Sequence, residues 1–178
     1  IITDIEAETG KKVSTVLQLR HHPSIIKLKN DVDAGEMNKM YDIDLSYITT
    51  RGKWYLKSWK GDPDKSGGIA TNIGIHLFDM ITWIFGSVKE NTVHIYEKDK
   101  AAGFLQLEKA RVRWFLSLDA KDLPGKAVKE NNRTFRSIRI DGEEIEFSQG
   151  FTDLHTVTYK NILSGNGYGI ADARESIE

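Results

Sequence analysis

No cysteine occurs anywhere in this chain of 178 residues, and that one absence removes disulfides, thiolate catalysis and cysteine-ligated zinc. Charge of one sign is not in surplus either. Twenty-five Lys and Arg stand against 26 Asp and Glu, a net charge of −1, so the basic excess that binding to a nucleic-acid backbone demands is missing. No apolar run approaches the roughly 18 to 20 residues of a membrane helix. The opening Ile1-Ile-Thr-Asp-Ile-Glu6 has no basic region leading into an apolar stretch, so it does not read as a signal peptide. Internal repeats and low-complexity tracts are also lacking. These absences predict a cytoplasmic protein with neither nucleic acid nor membrane as partner. The first residue is Ile rather than Met, which sets up the expectation of a chain cut from something longer.

What is present is the composition of an ordinary globular domain, 39% apolar and 29% charged, long enough to bury one core over residues 1–178. Residues 3–10 read as a helix closed by Gly10, and Val13 to Arg20 as a short strand with alternating apolar positions. Pro23 opens a helix that carries Ile25, Ile26, Leu28 and Val32 toward Gly35. From Lys39 to Thr50, Asp42, Asp44 and Ser46 alternate with Tyr41, Ile43, Leu45 and Tyr47, the pattern of a strand with one wet face. Residues 51–68 break the periodicity and read as a long irregular stretch. Ala70 to Phe85 is the clearest helix, apolar around most of its circumference and therefore buried. Strands follow at Thr92–Glu97, Ala102–Glu108, Ala110–Asp119, Phe135–Ile140 and Glu144–Ser148, the last two joined by an Asp141-Gly142 hairpin turn. Helices return at Thr152–Leu163 and near Ala171. Consecutive strands with helices early and late predict an α+β domain. Its sheet is expected to be open and mostly antiparallel, of about six strands with helices on one face. The other face, expected to carry Trp and Tyr, needs a cover, and a second copy of the chain is the expected one.

Two constellations could carry chemistry. In Ser66-Gly-Gly-Ile-Ala-Thr-Asn-Ile-Gly-Ile-His-Leu-Phe-Asp79, the polar residues Asn72, His76 and Asp79 fall at i, i+4 and i+7, one face of a helix. Gly67-Gly68 ahead of them would leave backbone N–H groups open, and Gly74 would admit a close neighbour. Two readings of His76 stand side by side. It is a structural histidine bonded to Asp79 or a carbonyl, or a general base toward a sugar hydroxyl. No third ligand is placed beside His76 and Asp79, so no metal is expected. The second constellation is the cationic stretch Arg51, Lys53, Lys57, Lys60 and Lys65, with Trp54 and Trp59 between. It is either a solvated loop anchored by its tryptophans or a site for an anionic, ring-bearing ligand such as a nucleotide sugar. His21-His22 reads as a turn rather than a metal pair. Gly165-Asn-Gly-Tyr-Gly169 does not follow a strand in a βαβ unit and fails as a dinucleotide fingerprint.

The motif around Gly67-Gly68, Asn72, His76 and Asp79 resembles the C-terminal domain of the glucose–fructose oxidoreductase and inositol dehydrogenase (Gfo/Idh/MocA) superfamily. Leu17-Gln-Leu-Arg-His-His-Pro-Ser24, Trp54-Tyr-Leu-Lys-Ser-Trp-Lys-Gly-Asp62 and Phe151-Thr-Asp-Leu-His-Thr156 resemble its branch of UDP-N-acetylglucosaminuronic acid 3-dehydrogenases, which serve surface-polysaccharide synthesis. The resemblance implies hydride transfer from the sugar C3 to NAD or NADP while a base takes the hydroxyl proton. It places His76 as that base or its relay. Asn72 stands where Asp is common in the superfamily, which implies a hydrogen bond to substrate in place of a His–carboxylate relay. Lys57, Trp59, Lys60 and Arg20 become candidates for contact with the UDP-sugar. The resemblance further implies a homo-oligomer packed through the sheet face. It also implies that the N-terminal dinucleotide-binding domain precedes residue 1, so that this stretch alone should be inactive.

Overall fold

The computed structural model describes residues 1–178, the side chain of Lys53 excepted. Alternating side chains drive six strands into one sheet. They are β1 (Tyr41–Thr49), β2 (Val88–Tyr96), β3 (Lys100–Leu107), β4 (Ala110–Ser117), β5 (Thr134–Ile140) and β6 (Glu143–Glu146), in the spatial order β2-β3-β4-β1-β5-β6. β1 runs parallel to β4 and antiparallel to β5, and the other neighbouring pairs are antiparallel. The expected α+β class and six-stranded, mostly antiparallel open sheet are what the chain adopts.

Ile43 and Leu45 of β1, Leu105 and Leu107 of β3, Val112, Trp114 and Leu116 of β4 and Ile138 of β5 point to one face and are buried. Against them lies α5 (Ile75–Phe85), whose Leu77, Met80, Ile81, Ile84 and Phe85 are all but inaccessible. Burial of this kind stabilises by roughly 25 cal/mol per Å² of apolar surface, which accounts for a helix with so little polar circumference. Contrary to the expectation that no apolar run comes near membrane-helix length, the stretch Pro63–Phe85 is long and apolar enough to cross a membrane, yet more than half of its most apolar part is buried within the domain. The apolar surface of α5 thus belongs to the core. Beside it stand α2 (Pro23–Asp33), which buries Ile25, Leu28 and Val32, and α8 (Ile170–Ile177). The remaining helices are α1 (Ile2–Thr9), α3 (Lys53–Lys57), α4 (Pro63–Ser66), α6 (Gly125–Lys129) and α7 (Leu154–Leu163).

Three expectations are corrected. Val13 to Arg20 is not a strand: Thr15 makes one bridge to Tyr168, and the chain then tightens into a 3₁₀ turn over Gln18–His21. Leu17 and Leu19 are buried there, so the alternation records an extended segment packing on the core without a neighbouring strand. Residues 51–68 are not irregular but wind into α3, a 3₁₀ turn at Trp59–Gly61 and α4, capped by Ser58 and Asp62 side chains that accept from Lys60 N and Asp64 N. The open sheet face does not carry Trp and Tyr either. Trp114, Tyr41 and Tyr47 lie in the helix-covered core. The opposite face presents Arg111 paired with Asp42 and Arg113 with Asp44 across the parallel β1–β4 ladder.

Candidate active site

The helix that carries the Asn-His-Asp motif starts irregularly. Ala70–Gly74 forms one π-helical turn before α5 begins at Ile75, and such turns widen the helix where side chains must be re-aimed. The stripe expected from i, i+4, i+7 spacing is consequently split. Asn72 and His76 face a cleft of about 460 Å³ lined also by Gln18, Tyr47, Arg51, Trp54, Tyr55, Lys60, Arg136, Phe151 and His155. Asp79 turns away from it. Its two carboxylate oxygens accept from Arg20 Nε at 3.0 Å and Nη2 at 2.6 Å, and Nη2 also donates to the Asp172 carbonyl at 2.7 Å. Arg20 lies 4.8 Å from the centroid of the Tyr168 ring. Arg20 is therefore buried behind the helix, where it ties the 3₁₀ turn, α5 and the start of α8 together, and it does not line the cleft. Burial raises the Asp79 carboxyl above its ordinary range while the hydrogen bonds from Arg20 oppose the rise.

His76 makes no hydrogen bond among the described residues, so neither Asp79 nor a carbonyl holds its ring. Burial lowers its pKa below the ordinary histidine value; Asp79 opposes this, and the charges of Arg136 and His155 reinforce it. At neutral pH the imidazole is thus uncharged and offers a lone pair into the cleft, the state a general base requires. Asn72 has partners of its own within the chain. Its Nδ2 donates to the Tyr55 hydroxyl at 2.8 Å and to the Lys60 carbonyl at 3.3 Å. It thereby straps the segment of α3 and the next turn over the mouth of the cleft. Burial raises the pKa of the Tyr55 phenol.

The cationic stretch divides in the same way. Lys60, Arg51 and Trp54 reach the cleft, while Lys57 and Trp59 are exposed outside its lining. The Lys53 side chain lies outside the described residues. The glycines before α5 are not open donors. Gly67 N donates to Pro63 O, Gly68 N to Ser66 Oγ, and the Tyr96 hydroxyl to Gly67 O. Both take a left-handed backbone, and a Cβ on Gly68 would meet the Tyr96 hydroxyl at 2.5 Å, so the pair serves this turn. Gly74 admits a close neighbour, the side chains of Leu116 and Phe78. His22 caps α2 through Nδ1 and bonds Gln149 O through Nε2 at 2.8 Å, which settles the His21-His22 pair as a turn.

Several cleft residues went unassigned from sequence. Arg136 stands directly opposite Tyr47 in the β1–β5 register. It alternates with Ile138 and Ile140 on the core-facing side of β5, so an arginine in an apolar alternation was the available signal. Gln18 was hidden in the segment read as a strand, and its Oε1 is buried without a partner. His155 stands in the first turn of α7 and Phe151 just ahead of it, and no periodicity in that stretch points to a cleft. The cleft lining contains Arg51, Lys60 and Arg136 and no carboxylate.

Residues 29–122 match the family model described as the oxidoreductase family, C-terminal alpha/beta domain. The chain superposes on the WlbA (WbpB) dehydrogenase from Thermus thermophilus in complex with NAD and alpha-ketoglutarate with a TM-score of 0.94 and 51% identity, covering 99% of this chain and 57% of that one. For the complex of the Thermus thermophilus enzyme with NAD and UDP-GlcNAcA the TM-score is 0.93 and the identity 50%, over 98% and 56% of the two chains. The WlbA dehydrogenase from Bordetella pertussis shares the fold at 19% identity, with a TM-score of 0.72 over 96% of this chain and 58% of that one. The chain thus spans a little over half the length of these structural relatives.

Proposed function

This chain belongs to the Gfo/Idh/MocA oxidoreductase family, whose C-terminal alpha/beta domain it carries, and we propose that it is the substrate-binding and catalytic domain of an NAD-dependent dehydrogenase acting on the 3-hydroxyl of a UDP-sugar uronic acid. One observation carries the reading: a cleft lined by three cations and no carboxylate, with an unbonded neutral histidine beside them. A polyol or neutral sugar gives no reason for so many unopposed cations, whereas a diphosphate and a uronic carboxylate do. The identity of about half of all residues with the Thermus thermophilus enzyme in complex with NAD and UDP-GlcNAcA supports the same substrate.

NAD, when bound, supplies the hydride acceptor. The described elements offer no glycine-rich turn between a strand and a helix for its pyrophosphate, so that group is assigned to a separate dinucleotide-binding domain of the whole protein. The residues of this chain do the rest. His76 takes the proton from the sugar hydroxyl as the C3–H bond breaks. Asn72 holds the α3 segment and with it Lys60 and Trp54 in place, and its unpartnered Oδ1 is free to accept from a sugar hydroxyl. Lys60 and Arg51 pair with anionic oxygens of the nucleotide, and Trp54 offers a face on which a ring can stack. Lys57 and Trp59 stand ready at the outer edge for the far end of the nucleotide. The product class suits surface-polysaccharide synthesis in the cytoplasm.

The test is reduced-nicotinamide absorbance of the whole protein given NAD and UDP-N-acetylglucosaminuronic acid. The expected result is turnover that His76→Ala lowers by roughly 10²- to 10⁴-fold, the usual contribution of a positioned base. Turnover that survives His76→Ala would remove the base from its role. Turnover with a free polyol but not with the nucleotide sugar would move the domain to another substrate of the family.

A further inference from the structure

We propose that Arg136 is the residue that selects a uronic acid over a neutral sugar, by pairing with the carboxylate on the sugar ring. The inference rests on the reading of the cleft as a nucleotide-sugar site and says which of its cations reads which anion.

Arg20, Arg111, Arg113, Arg139 and Arg174 each have a carboxylate partner. Three arginines, Arg51, Arg133 and Arg136, have none among the described residues, and of these Arg51 and Arg133 are exposed while Arg136 is partly buried. Arg136 also lines the cleft beside His76. An unopposed guanidinium held away from bulk water is costly unless an anion arrives to meet it.

It is also held still. Nη2 donates to the Tyr47 hydroxyl at 2.8 Å and Nη1 to the Ser148 carbonyl at 3.4 Å. Its guanidinium carbon lies 4.5 Å from the centroid of the Tyr47 ring and 4.0 Å from that of Phe151. Its backbone N–H is fixed by Ser148 Oγ at 2.8 Å. A guanidinium has five N–H donors, and two are engaged here, so three are left for a ligand. A planar fork clamped between two aromatic rings suits a planar carboxylate and loses little freedom on binding it.

Position separates Arg136 from the other two cations. Lys60 and Arg51 belong to the segment that follows β1 and carries α3, and Arg51 is exposed. Arg136 projects from β5 of the sheet itself, near enough to His76 for its charge to press on the imidazole. The uronic carboxylate is borne on the same ring as the reacting hydroxyl, whereas the diphosphate leads away from that ring. The cation nearest the base is therefore the one placed to meet the carboxylate, and the peripheral pair is left for the diphosphate. His76 is faced by Asp79 from its own helix, Arg136 from β5 and His155 from α7. When a carboxylate neutralises Arg136, one of the charges that weakens His76 as a base is cancelled.

The experiment compares UDP-N-acetylglucosaminuronic acid with UDP-N-acetylglucosamine, which differs only in a hydroxymethyl group for the carboxylate. The whole protein with NAD is used as wild type, Arg136→Met and Arg136→Lys, and circular dichroism and thermal melting show that each variant is folded. The expected result is that the ratio of kcat/KM for the two sugars falls by about 10- to 150-fold in Arg136→Met, the range for a lost charge-assisted hydrogen bond. Arg136→Lys restores part of the ratio. In Arg136→Met the acid limb of the kcat/KM profile for the neutral sugar moves to higher pH, because a positive charge beside His76 is gone. Equal loss on both sugars would make Arg136 a structural residue, and unchanged kcat/KM on both would assign the carboxylate elsewhere; either overturns the proposal alone. Failure of the wild type to oxidise either sugar overturns the reading of the cleft and this proposal with it.

Discussion

Asp79 and Arg20 show how much a single buried pair can fix. Their side chains are 3% and 6% exposed and share two hydrogen bonds, and the pair joins three separate pieces of chain one helical turn from His76. Asp79→Asn leaves the guanidinium buried without its charge partner, which costs about 3 to 5 kcal/mol. The expected result is a loss of that size in urea unfolding, with Arg20→Met,Asp79→Leu together losing far less. A second prediction concerns His76 itself. Its folded pKa lies below the ordinary value of 6.5, so below that pH the unfolded state takes up its proton first. The stability it contributes is full above about pH 6.5 and is lost as pH falls through the folded pKa. His21, also lowered by burial, acts in the same window, so the contribution of His76 is the difference between wild type and His76→Gln in unfolding free energy at neutral and mildly acid pH. A wild type and variant with parallel pH dependence would show that His76 is not held neutral. At this scale Asn72 and His76 could be picked out of the sequence because two polar residues four apart interrupt an apolar helix. Their partners could not, since Arg20 meets Asp79 across 59 positions and Asn72 meets Tyr55 across 17.

The elements that were legible are those whose own packing pattern dictates them. α5 follows from an apolar circumference that has to be buried, the strands β1 and β4 from one-sided burial, and the β5–β6 hairpin from Asp141-Gly142, both at positive φ. The segment read as irregular lacks such a pattern, whereas Val13 to Arg20 has the alternation of a strand but no neighbouring strand to pair with. The segment from Lys53 to Ser66 has side-chain caps at Ser58 and Asp62, but its turns are too short to show a helical period. Its position depends on Asn72 reaching across from the π turn. Asn72→Ala removes the bonds to Tyr55 and Lys60 while leaving the core of α5 untouched. The expected outcome is faster amide hydrogen exchange over residues 53–61, with KM for the nucleotide sugar raised roughly 10-fold, the loss of about one charge-assisted contact. Unaltered exchange in that segment would mean that Asn72 is not its strap.

At the scale of the whole molecule, the order β2-β3-β4-β1-β5-β6 brings strands together that the sequence keeps far apart. The parallel β1–β4 pair spans the segment that contains both α5 and the β2–β3 hairpin, and no local pattern announces such a pairing. That pairing also decides what the open face looks like. Asp42 and Asp44 of β1 come to lie beside Arg111 and Arg113 of β4, flanked by half-exposed Phe104 and Phe115. A face of mixed ion pairs around aromatic rings can meet a copy of itself, because each acid finds an arginine after a two-fold rotation. We expect the whole protein to associate through this face. Exposed ion pairs contribute little singly, so their part here is to set register, and the apolar contact supplies most of the affinity. Replacing Asp44 by Arg puts three cations side by side and opposes the same three across the axis. Light scattering at micromolar concentration should then show a drop to the smaller species, while circular dichroism stays that of the folded domain. A mass that does not change in the variant would place the contact elsewhere on the surface, and a wild type already at the mass of one chain would leave this face bare.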